Sequence, residues 1–92
     1  MPYIKQEDRK ELLDAAKVVA EHLSNSSAKA GELNYFVSII ANELLKEPSY
    51  SKINELIGAL ECIKLELYRR MASPYEDIKM HQNGDVYNSP KP

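Results

Sequence analysis

Cysteine is nearly absent from this chain: Cys62 stands alone among 92 residues. No intrachain disulfide can form, and no cysteine-based zinc site can be built. Histidine is almost as scarce, with two residues, His22 and His81, far apart in sequence. Both are read as surface helix positions. Charge of one sign is lacking as well. Twelve basic against fourteen acidic residues leave a net charge of −2, without the broad basic footprint of a nucleic-acid binder. Only Lys64, Arg69 and Arg70 make anything like a basic patch. No apolar run approaches the roughly 20 residues that a membrane span needs. The opening residues, MPYIKQEDRKE, have no apolar segment of the signal-peptide kind. The expectation is a soluble, cytoplasmic protein.

What is present fits one small domain. A length of 92 residues supports a modest core of a few kcal/mol net stability, so a partner subunit would add burial that a monomer lacks. The hydrophobic fraction of 43% is that of an ordinary globular chain, which excludes wholesale disorder. The domain is expected over residues 1–87, with 88–92 as a disordered tail. No internal repeat organises the chain.

Helical periodicity appears three times. Leu12, Ala16, Val19 and Leu23 form one stripe over residues 6–23. Glu7, Asp8 and Glu11 load its first turns with the charge that suits a helix N-terminus. Ser24, Asn25, Ser26 and Ser27 then predict a loop reaching Gly31. Leu33, Phe36, Val37, Ile40 and Leu44 share a face of a second helix over 32–46, which also carries Tyr35, Ile39 and Leu45 outside that face. Pro48 ends it. The third helix is expected from Ser51, its N-cap. Its stripe of Ile53, Leu56, Ile57, Leu60, Ile63, Leu67 and Met71 is long enough to call for cover from both other helices. Ser73-Pro74-Tyr75-Glu76 has the capping-box form, so a new short helix is predicted over 74–82, stopped by Asn83-Gly84. Asp85-Val86-Tyr87 is expected to fold back. The fold class is all-α, a small bundle of three main helices and a short C-terminal one.

Function-bearing candidates concentrate on the third helix. Lys64 falls inside the apolar stripe and Glu61 at its edge. Burying charge is costly, so such residues must be paired, snorkelled or used. An i,i+3 ion pair is the simplest account. Gly58, Cys62 and Leu65 lie on the opposite side, bordered by Glu61 and Arg69. Small residues there permit close approach, either of another helix of the chain or of a second copy. Tyr68 beside Arg69 and Arg70 could serve a partner, but such rings more often cap a core with their hydroxyls in water. Glu66 and Arg70 have i,i+4 spacing. Glu55 and Glu66 are about 16 Å apart along a helix and cannot share an ion. No metal site, cofactor or nucleophile motif emerges.

The segment NELIGALECIKLELYRRMASPYEDIKMHQNGDVY resembles the C-terminal signature of a family of small bacterial and phage proteins of about this length. The opening PYIKQEDR and the central Gly31–Tyr35, GELNY, resemble that family too. The tail departs from it at His81-Gln82, where a more acidic approach to Asn83-Gly84-Asp85 is expected. The resemblance carries no reaction. The functional expectation is a non-catalytic interaction or accessory protein, a homodimer built on the second and third helices. The alternative is a small nucleotide-processing hydrolase using helix carboxylates and a divalent ion. Nucleic acid and membrane are not expected partners.

Overall fold

The computed structural model describes residues 4–88. Every regular element among them is helical, which is the all-α class that the periodicity predicts. A 3-10 turn, Gln6–Asp8, precedes α1 (Lys10–Ser24), α2 (Lys29–Leu44) and α3 (Tyr50–Leu67). A π turn, Tyr68–Ala72, then joins α3 to α4 (Ser73–Asn83).

The element ends follow side-chain chemistry that shifts several expected boundaries. Glu7 and Asp8 lie on the 3-10 turn, so α1 starts later than periodicity suggests and keeps only Glu11 as an acid in its first turn. The loop before α2 is shorter than its polar composition suggests. Ser26 Oγ accepts the Ala28 N–H at 2.9 Å, and Lys29 Nζ donates to the Ser26 carbonyl at 2.8 Å. That turn lets the helix begin at Lys29, with Gly31 inside it. At α3 the capping residue is Ser49 and not Ser51, because Ser49 Oγ accepts the Lys52 N–H at 3.1 Å.

The largest departure lies at Pro74. The expected capping box does not form: Ser73 is itself helical and no side chain caps α4. Proline has no N–H for the carbonyl four residues back, and its ring crowds that turn. The backbone absorbs this by widening, with the Ser73 N–H reaching the Tyr68 carbonyl five residues back. Helical backbone therefore runs unbroken for 34 residues, from Tyr50 to Asn83. Gly84, at φ 90°, ends it as expected, a conformation that glycine reaches at no steric cost. Beyond it the Asp85 carboxylate accepts the Tyr87 N–H at 3.0 Å. Val86 and Tyr87 remain 90% and 79% exposed. The expected folding back is thus replaced by a local Asx turn. Of the expected disordered tail, residues 89–92 lie outside the described region.

Contacts divide the chain into two compact units, Met1–Ile57 and Gly58–Pro92, with the boundary inside α3. In the first, α1 and α2 meet near their shared loop, and Val19, Leu23, Val37, Ala41, Leu45 and Leu56 are half-buried. In the second, most of the apolar surface is open. No described residue in either unit is buried. The stripe Ile57, Leu60, Ile63, Leu67 and Met71 is exposed, and within the second unit no other element covers it. Periodicity fixes which side of a helix is apolar; it does not supply the surface that covers it.

Candidate functional site

The candidate residues lie on consecutive turns of the second unit, where a helix displays side chains three and four apart on one face. Lys64 Nζ sits 3.1 Å from Glu61 Oε1, with the two side chains 69% and 52% exposed. The charge in the stripe is therefore a solvated ion pair, worth at most about 1 kcal/mol. It makes no demand for chemistry. Arg69 donates to Glu66 Oε1 at 2.7 Å, so Glu66 pairs one turn on, at i,i+3.

Gly58, Cys62 and Leu65 are all exposed. A Cβ placed on Gly58 would meet nothing within 4 Å. Within the second unit, the small side of α3 is therefore open. Cys62 is a free thiol, and no general base is placed beside it by the described contacts.

Around the π turn the helix surface forms an open apolar groove of about 460 Å³, lined by Lys64, Leu67, Tyr68, Met71, Ala72 and Tyr75. The tyrosines do not cap a core, since Tyr68 and Tyr75 are both exposed. Each is tied along its own helix. The Tyr75 ring faces Lys79 Nζ at 5.6 Å from its centroid. The Glu76 charge disfavours the phenolate, the hydrogen bond to Glu76 holds the proton, and slight desolvation adds to both; the Tyr68 pKa is raised above 10.0.

One pair went unforeseen in the sequence. His22 Nε2 lies 3.7 Å from Glu32 Oε1 across the α1–α2 loop. The second oxygen, Glu32 Oε2, is shut off from solvent without a hydrogen-bond partner. Val18, Val19, Leu23, Tyr35 and Phe36 complete the groove around this pair. The signal was available: a histidine ending one helix and a glutamate opening the next, on either side of a short polar turn.

Among the described residues, no three or more His, Cys, Asp or Glu side chains are arranged to hold a metal ion. Glu61, which the hydrolase alternative needs beside carboxylates of another helix, has Lys64 as its neighbour. No described helix is long and apolar enough to cross a membrane. A family model for a domain of unknown function (DUF6899) matches residues 1–86. No curated protein and no solved structure matches the chain.

Proposed function

The chain belongs to the family of that domain of unknown function, and from this premise we propose that it is a non-catalytic, cytoplasmic interaction protein that acts as a helical homodimer. One observation carries the reading: a chain that is helical over most of its length has no buried residue among those described. Ordering each residue costs about 1–2 kcal/mol of backbone entropy. Full burial of a leucine, isoleucine or phenylalanine returns about 1.5–3 kcal/mol, and no described side chain reaches it. Helices whose apolar faces stay in water are marginal on their own. A fold of this kind needs a partner whenever it is folded. The one protein guaranteed to accompany each copy in equal amount is another copy. The single exposed thiol of Cys62 suits a reducing compartment.

The groove of Leu67, Met71 and Tyr75 supports an interaction role through its composition, because apolar and aromatic side chains at the surface are what interfaces bury. Nothing in the geometry favours the hydrolase alternative. Size-exclusion chromatography with light scattering tests the proposal. A dimer at micromolar concentration is expected. A strict monomer at high micromolar concentration, still helical by circular dichroism, would sink it.

A further inference from the structure

No repeat is expected from the chain read as a whole, yet the second unit holds a short one. Leu60-Glu61-Cys62-Ile63-Lys64-Leu65 and Tyr75-Glu76-Asp77-Ile78-Lys79-Met80 share the pattern apolar-Glu-x-Ile-Lys-apolar, fifteen residues apart. Both copies are helical, and the π turn Tyr68–Ala72 lies between them. Fifteen is one residue more than two heptads. A π turn takes up one extra residue, so the two repeats return to the same heptad phase. The wide turn that Pro74 imposes thereby aligns the Glu and Lys of one repeat with those of the other along one side of the helix.

Two such repeats on one helix are complementary to themselves when reversed. Resting on the homodimer reading above, we propose that two copies pair antiparallel along this helix, with the two-fold axis passing near Arg69 and Arg70. In that register Glu61 faces Lys79 of the second copy, and Lys64 faces its Glu76. The apolar residues match as well: Leu60 meets Ile78, Ile63 meets Tyr75, and Leu67 meets Met71. All six of these side chains are exposed in the single chain. An in-register parallel pair would instead set Glu61 beside Glu61 and Lys64 beside Lys64. Opposite charges across an interface fix orientation more than they add affinity, and that is the task the repeats perform here. Lys64 within the stripe is explained by the same arrangement. Its stem lies along the apolar seam while its ammonium reaches the rim, beside Glu61 of its own chain and Glu76 of the other.

Two measurements test the orientation separately from the dimer. Light scattering on the unaltered chain settles self-association; a monomer there overturns both proposals together. For a dimer, one preparation carries a label on Cys62, and a second, Cys62→Ser with Asp77→Cys, carries it at position 77. In the antiparallel pair the Cys62 labels lie about 22 Å apart along the axis, while a Cys62 label and a position-77 label come level. Electron–electron distances should therefore be shorter in the mixed pair than between two Cys62 labels. The reverse order, or long distances in both within a proven dimer, overturns the antiparallel pairing. Charge exchange within one repeat, Glu61→Lys with Lys64→Glu, keeps the intrahelical pair but sets like charges across the interface. The dissociation constant should rise about tenfold or more. Adding Glu76→Lys with Lys79→Glu should restore it. No change on the first exchange would overturn the proposal.

Discussion

The two units of this chain are held by different kinds of contact. In Met1–Ile57, residues distant in sequence meet: His22 with Glu32 across a loop, and half-buried Val19 and Leu23 on α1 near the start of α2. In Gly58–Pro92, the contacts run along one helix: Glu61 with Lys64, Glu66 with Arg69, Tyr75 with Lys79, and Tyr68 with Glu76. The first unit has the beginnings of a tertiary fold. The second is a helix with its apolar side unspent. Contacts three or four residues apart stabilise a helix by only tenths of a kcal/mol each, so the second unit depends more heavily on what covers it.

The sharpest way to break that contrast is to truncate one leucine in each unit. Leu67→Ala removes an exposed side chain that the proposed interface buries twice, once in each copy. At roughly 1.4 kcal/mol per leucine, below the roughly 2–5 kcal/mol of a fully buried Leu→Ala because a two-helix seam covers the side chain only in part, the dimer dissociation constant rises about a hundredfold. Leu23→Ala, at a half-buried site in the first unit, should cost about 1–2 kcal/mol of stability with a far smaller change in that constant. Sedimentation equilibrium and thermal melts read the two effects. If Leu23→Ala dissociates the dimer more than Leu67→Ala does, the burden of self-association lies in the first unit.

A smaller effect sharpens the comparison from the side of the helix that the interface leaves free. Gly31 and Gly58 each sit inside a helix, in α2 and α3, and an added Cβ meets nothing within 4 Å at either. Glycine costs about 1 kcal/mol against alanine in a helix interior. Gly31→Ala and Gly58→Ala should therefore each raise stability by about that amount. Gly58 lies on the side of α3 away from Leu60, Leu67 and Met71, so its gain should persist in the dimer. A loss at Gly58 alone would mean that a second copy presses on the small-residue side of α3, and the interface would have to be moved there.

How much of this was legible in the sequence follows the same division. The helices were, because apolar residues recur every three to four positions in each of them. Gly84 was, because a helix stop with φ 90° asks for glycine. Ser73-Pro74-Tyr75-Glu76 misled for a local reason. Its capping-box form marks a helix start in isolation, yet a preceding helix can keep its hydrogen bonds by widening to a π turn at a smaller loss than stopping. Ser49 was missed in favour of Ser51 because either hydroxyl could cap, and only the backbone path decides. Burial was the least legible property. The stripe from Ile53 to Met71 reads the same whether its cover is another helix of the chain or a second molecule. The pairing of Glu61 with Lys64 was legible from spacing alone, whereas their exposure depends on what packs beside the helix.

The smallest effect concerns the tie between Tyr68 and Glu76, the longest contact along the second unit's helix. The Tyr68 pKa is raised because the Glu76 carboxylate opposes the phenolate and accepts the hydroxyl proton in a hydrogen bond. A folded-state pKa above the unfolded value of 10.0 favours the protonated phenol in the folded chain. The contribution is fully present below pH 10.0 and is lost as pH rises through the folded value. Glu76→Gln removes the charge and should lower the Tyr68 pKa toward its ordinary value. The Tyr68 component of the phenolate absorbance titration, identified by its loss in Tyr68→Phe, should then move to lower pH. Because Tyr68 is exposed, the change in melting temperature at neutral pH should be close to nothing. A marked drop at neutral pH would mean that the Tyr68–Glu76 tie is buried in the assembled protein, and the second unit would then owe part of its stability to a polar contact as well as to its apolar seam.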